Sequence, residues 1–231
     1  VFYGESEVEY GNAIAGSNSA VMDTSVYTMG DLSETYLGGV SVTELMEVYG
    51  LSLNELKPYL PVDYSSFDEG VADVNVHYLG YYIKWVPQEA YYYSVEHAGF
   101  QARPVRTEGT YSKYNSIDDK IDDFHYYATF IKFGIGRATY DSSQELRNGE
   151  ITREEAIALI HRYDGEYSTR FERECFSYFS LPIREYPVAA QQFEQPIMDR
   201  IYFERLTNRF RSPHIWMNEE GKWKLRKAIY D

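Results

Sequence analysis

Residues 116–163 read SIDDKIDDFHYYATFIKFGIGRATYDSSQELRNGEITREEAIALIHRY, and their spacing decides the fold class. Ser116 can cap a long helix, because Ile117, Ile121, Phe124, Ala128 and Ile131 recur after it at near-helical intervals. Gly134 and Gly136 interrupt that pattern. Arg137 to Arg147 reads as a second helix, ended by Asn148-Gly149, since glycine accepts the left-handed conformation that closes helices. Thr152 and Glu155 form a capping box, in which each side chain satisfies a backbone N–H of the other, and open a third helix to Tyr163. Three helices in series with short links predict a compact helical unit.

Working outward, residues 168–181 and 197–211 read as helices, joined by a segment whose Pro182, Pro187 and Pro196 favour an extended path. The last 20 residues are basic and aromatic. Upstream, Pro87 at a first turn and Gly99 just past an end bracket a tyrosine-rich helix. Val74 to Val86, rich in Val, Ile, Tyr and Trp, predicts a strand or strand pair bent at Gly80. Residues 61–70 are turn-like. Ser41 with Glu44 and Ser52 with Glu55 predict two short helices, closed by Gly50 and Pro58. Residues 1–40 read as a strand end followed by glycine-rich loops.

Composition excludes several classes of function. A net charge of −14 supplies no broad positive field for nucleic acid or an anionic membrane. No run of 18 apolar residues is present, so no membrane insertion is expected. The single cysteine, Cys175, permits no internal disulfide and fits a reducing, cytoplasmic compartment; it reads as a buried apolar thiol. The 24 tyrosines point to a core with polar tips or to a sugar-facing surface. The five histidines show no metal-ligand spacing.

The densest chemistry runs from Thr107 through Glu108, Tyr111 and Lys113 into Asp118, Asp119, Lys120, Asp122 and Asp123. On a continuous helix Asp118 with Asp122, and Asp119 with Asp123, would share a face and repel. One answer is the positive end of the helix dipole. The other is a Mg²⁺ ion held at Asp118 and Asp122 beside phosphates. Lys113, in a loop ahead of a helix, is either a solvated lysine or an anion receptor. Arg137, after Gly134-Ile135-Gly136, can orient an anion or form a structural ion pair. Glu5, Glu9 and Tyr10 follow a strand end, where open α/β sheets bind ligands, and read otherwise as a charged surface loop.

The run from Arg103 to Tyr114, continued by Asp118–Tyr127, Ile131–Thr139, Glu145–Gly149, Thr152–Glu155 and Tyr163-Asp164-Gly165, resembles the hallmark of bacterial N-acetyl sugar amidotransferases. Weaker matches cover Gly4-Glu5 with Val8–Gly11, and Arg209–His214. The resemblance implies an asparagine-synthetase-like ATP pyrophosphatase. Such an enzyme adenylylates the amide oxygen of an N-acetyl sugar, and ammonia from a separate glutaminase subunit then completes an acetamidino group for surface polysaccharide or flagellar glycan. It implies an α/β remnant, a few strands of a parallel Rossmann-like sheet in residues 1–102, followed by a mainly α-helical region in 103–231 that carries the motif. ATP and Mg²⁺ are the implied cofactors and a nucleotide-linked sugar the implied substrate.

Expected roles are catalysis for Lys113, Asp119 and Arg137, substrate or nucleotide contacts for Glu5, Glu9, Tyr10, Glu108, Tyr111 and Lys120, and Mg²⁺ at Asp118 and Asp122. The family's Ser-Gly-Gly-x-Asp-Ser loop is absent from the 231 residues. The chain also lacks an initiator Met, so it is expected to be part of a longer enzyme, and inactive alone. A non-catalytic helical module that docks the glutaminase or mediates self-association is the alternative, favoured by the aromatic tail.

Overall fold

The computed structural model describes residues 1–4, 19–23, 30–61, 74–180 and 195–228. It divides into two compact units, Val1–Trp85 and Val86–Asp231. The expected turn at 62–70 lies outside the described residues, as do Pro182 and Pro187.

The first unit is small and mixed. Strand β1 (Phe2–Tyr3) pairs in parallel with the later β4 (His77–Tyr78), in the register Phe2 with His77 and Tyr3 with Tyr78. Met22 donates its N–H to the Val76 carbonyl at 2.8 Å, and Met22, Val76 and Tyr78 bury together as a core. Between them lie β2 (Tyr36–Leu37) and β3 (Val40–Ser41), an antiparallel hairpin that runs directly into α1 (Val42–Glu47). Ser41 caps α1 through the Glu44 N–H, and the Ser52–Glu55 capping box opens α2 (Leu53–Leu56). The strand expected over Val74–Val86 shrinks to β4, because Leu79–Tyr81 turns into a 3₁₀ helix carrying Gly80. Among the described residues the parallel pairing covers Phe2 with His77 and Tyr3 with Tyr78.

The second unit is mainly helical. It contains α3 (Pro87–Ala98), α4 (Asp122–Phe133), α5 (Arg137–Asn148), α6 (Arg153–Tyr163), α7 (Glu172–Phe179) and α8 (Arg200–Arg209). Its core forms where α4 meets α7 and α8. Phe124 is 2 % exposed and lies edge-on to Phe179, Phe203 and Tyr167, the packing that ring quadrupoles prefer. Burying such a ring contributes about 2–3 kcal/mol. Cys175 is buried in the same cluster. Helices α5 and α6 pack together, joined by Gly149–Thr152, with the expected capping box present at Thr152 and Glu155.

The aromatic tail is an antiparallel hairpin, β5 (Trp216–Glu219) with β6 (Lys222–Leu225). Trp216 is buried and donates its indole N–H to the Ile131 carbonyl at 2.7 Å, which fastens the hairpin onto α4. Arg211 lies over the rings of Trp216 and Trp223 at 4.3 and 5.4 Å. Among the described residues no helix is long and apolar enough to cross a membrane.

Candidate functional site

The loop 103–116 has little regular structure, yet it is held from both sides by carboxylates. It first folds on itself: Thr107 N–H donates to the Ser112 carbonyl at 2.9 Å, Arg103 N–H to the Lys113 carbonyl at 2.9 Å, and Thr107 Oγ1 to the Asn115 carbonyl at 2.8 Å. Thr107 and Thr110 are completely buried. A loop buried this deeply needs partners for its polar groups.

Glu166 supplies one set. Its carboxylate takes both arms of the Arg106 guanidinium at 2.6 and 2.5 Å and the Gly109 N–H at 2.8 Å. Burial raises the Glu166 carboxyl, and these donors outweigh it, leaving the group below its usual range. Glu108 reaches the opposite way. It accepts from Ser168 Oγ, from the Thr169 N–H and hydroxyl, and from the Arg170 N–H, at 2.9 to 3.1 Å, just ahead of α7. Its carboxyl too ends below the usual range, with burial opposed by those bonds. Asp141 on α5 supplies the third set: Thr110 Oγ1 at 2.6 Å, Asn115 Nδ2 at 2.7 Å and Arg137 Nε at 2.8 Å. Burial raises the Asp141 carboxyl despite Arg137.

Asp164 acts on α5 itself. It accepts from the Gly136 N–H at 3.0 Å, the Thr139 N–H at 3.1 Å and the Thr139 hydroxyl, and so serves as the N-cap that Gly136 cannot provide. Asp164 thus places a carboxylate of the protein at this helix start. Gly136 is required there, since a Cβ would stand 2.5 Å from Asp164 Oδ1. Gly165 follows with φ +78, and its own Cβ would meet Phe130 at 2.4 Å. Asp164-Gly165-Glu166 is thus one short segment that caps α5, passes Phe130 and clamps the loop.

Two clefts flank the loop. One is open, about 580 Å³, and is lined by Arg106, Glu108, Tyr111, Lys113 and Arg170 with Pro104 and Val105. The other, about 300 Å³, is lined by Gln88, Tyr91, Tyr111, Ser112, Lys113, Tyr114 and Glu145. Tyr91 of α3 stacks on Tyr114, with ring centres 4.7 Å apart, and Tyr114 donates its hydroxyl to Gln88 Oε1 at 3.1 Å. Burial, then Glu145 and Asp141, push the Tyr114 hydroxyl up to about 12. Tyr111 and Lys113 border both clefts. Among the described residues the Lys113 ammonium has neither an ion pair nor a hydrogen bond, and its side chain is exposed.

The structure therefore brings Lys113, Tyr111 and Glu108 together, with Arg137 joined to their loop through Asp141. Arg137 also lies over the rings of Tyr126 and Tyr140 at 5.2 and 5.1 Å. The acidic run is different. Helix α4 begins at Asp122, and Ser116 is not its cap but has φ +48. The Arg103 guanidinium takes the Ser116 carbonyl at 2.5 Å and the Asp119 carbonyl at 3.3 Å, acceptors that an earlier helix start would have used internally. The two like-charge pairs on a shared helix face accordingly do not form. Asp119 accepts the Ile121 N–H at 2.7 Å, Asp122 lies 3.6 Å from His125, and Lys120 lies 3.8 Å from Glu174 and over the Phe171 ring. Asp118 is exposed. Among the described residues no three His, Cys, Asp or Glu side chains group around one point. Glu5, Glu9 and Tyr10 lie outside the described residues.

Sequence reasoning named Asp123 as half of a like-charge pair and Glu145 and Asp164 only inside motif matches, and did not single out Asp141 or Glu166. Asp123 is buried, 3.5 Å from Arg103, and desolvation raises its carboxyl to about 6 against the pull of Arg103. The legible signals among these were the motif matches at Asp118–Tyr127, Glu145–Gly149 and Tyr163-Asp164-Gly165.

A family model described as LPS biosynthesis protein WbpG-like, C-terminal domain, matches residues 108–230. The match takes in the loop from Glu108 onward, the α5 wall of the smaller cleft and the carboxylates Glu108, Asp141, Asp164 and Glu166. A search of curated proteins returns no match. With more than half of its length covered, the chain belongs to the WbpG-like family of LPS biosynthesis proteins, through its C-terminal domain.

Proposed function

We propose that the chain forms part of an ATP-dependent amidotransferase that turns the N-acetyl group of a sugar into an acetamidino group during LPS biosynthesis. The observation that carries this reading is Lys113, an unpaired ammonium held on a rigid loop between two clefts. ATP supplies the adenylyl group that makes the amide oxygen a leaving group, pyrophosphate departs, and ammonia from a partner glutaminase displaces AMP at the amide carbon. Lys113 is the residue we assign to the anionic charge of that exchange, where a fixed cation stabilises developing charge. Arg137 is assigned a positioning role, holding Asp141 and through it Thr110 and Asn115. The aromatic tail, which favoured a docking module, places Trp216 in the unit's own core.

The test is Lys113→Ala in the enzyme supplied with ATP, glutaminase and an N-acetyl sugar substrate. Amidination should fall about 100-fold or more, with the unfolding midpoint unchanged because the side chain touches nothing that holds the fold. Near-normal turnover would reject the assignment.

A further inference from the structure

We propose that the smaller cleft, between α3, the loop and α5, receives the sugar ring itself, with Glu145 as the acceptor of its hydroxyls and Tyr91 and Tyr114 as its aromatic wall. This deepens the reading above and rests on it for the identity of the reaction, though not for the site.

The carboxylates around the loop are unequal. Glu108, Asp141, Asp164 and Glu166 each accept three or more hydrogen bonds. Glu145, partly buried on α5, faces the buried Tyr111 hydroxyl in a contact short of full hydrogen-bond geometry, and accepts from no other group among the described residues. A half-buried carboxylate with one loose donor keeps most of its acceptor capacity unused, and filling that capacity with further donors is favourable.

Lys113 stands on the same cleft, and among the described residues its ammonium and the Gln88 amide N–H groups have no partner, while the Gln88 oxygen accepts from Tyr114. The occupant must therefore donate to a carboxylate, accept from an ammonium and an amide, and lie against phenol rings. An anion would be repelled by Glu145 and a simple cation by Lys113. A neutral ring with hydroxyls on its edge and C–H groups on its face meets all of these demands. At about 300 Å³ the cleft is at the lower end of the range for small-ligand sites, room for about one ring.

The test is saturation-transfer NMR on the purified chain, with N-acetylglucosamine as the probe and AMP as the competing aromatic ligand. The sugar's ring protons should receive saturation. Glu145→Gln should weaken binding about tenfold or more, as expected for lost hydrogen bonds to a charged acceptor. Tyr91→Leu should weaken it too, whereas Glu96→Gln, on the exposed end of α3, should leave it unchanged. The circular dichroism of Glu145→Gln should match the parent, because that side chain holds no element in place. No saturation of the sugar, binding indifferent to Glu145→Gln, or AMP displacing the sugar from the cleft would each overturn the site. Binding is read without turnover. Sugar binding that depends on Glu145 in an enzyme that does not amidinate would strike the reaction and leave the site standing.

Discussion

Replacing Asp164 with Ala removes three hydrogen bonds at one stroke, from the Gly136 N–H, the Thr139 N–H and the Thr139 hydroxyl. Loss of an N-cap costs about 1 kcal/mol. Loss of a negative charge at a helix start adds about 0.5 kcal/mol. The half-buried Thr139 hydroxyl, left without its acceptor, adds about 1 kcal/mol more. Asp164→Ala should therefore destabilise the helical unit by about 2–3 kcal/mol, read as a lower urea midpoint at unchanged slope and a thermal midpoint roughly 5–10 °C lower. Asp164→Asn keeps one acceptor oxygen and should lose only about 1 kcal/mol. If Asp164→Ala stays within about 0.5 kcal/mol of the parent, the range of ordinary surface changes, the carboxylate is not the cap of α5.

Gly165→Ala should be far more damaging than Gly149→Ala: both have positive φ, but only the first would drive a Cβ to 2.4 Å from Phe130, so equilibrium denaturation should show about 1 kcal/mol lost at Gly149 and more than about 3 kcal/mol at Gly165. Asp123 makes a pH prediction. Its folded carboxyl is raised to about 6 from 3.8, so the native state binds the extra proton, and this group's contribution falls as pH rises between about 4 and 6, then stays constant. Asp123→Asn removes that slope, so the variant should gain on the parent across the same window by up to about 3 kcal/mol. A difference between the two that is flat with pH would refute the burial of an ionisable Asp123.

Much of the helical unit was legible because its signals are local. Thr152 and Glu155 meet within one turn, Pro87 and Gly99 act on their own helix ends, and Gly149 closes α5 by its own φ of +80. What failed was set by distant groups. Ser116 looked like a cap until Arg103, thirteen residues earlier, took its carbonyl. The tail hairpin was missed because its turn is Glu220-Gly221 with both φ positive, and Glu is an uncommon occupant of that conformation. Lys113 and Tyr111 were read as site residues and do border the clefts. Their supports Glu166 and Asp141 were not, because contacts across 31 or 57 residues leave no periodic trace in sequence.

The triple clamp on the loop has a consequence for binding. A loop fastened by Glu108, Asp141 and Glu166 has lost its conformational freedom at the folding step, before any ligand arrives. Ordering a flexible loop would otherwise be charged against affinity, residue by residue. On the proposed reading, the loop backbone that carries Lys113 and Tyr111 would meet a ligand with its ordering cost already met. The loop's amide exchange should accordingly be as slow in the free protein as in the complex.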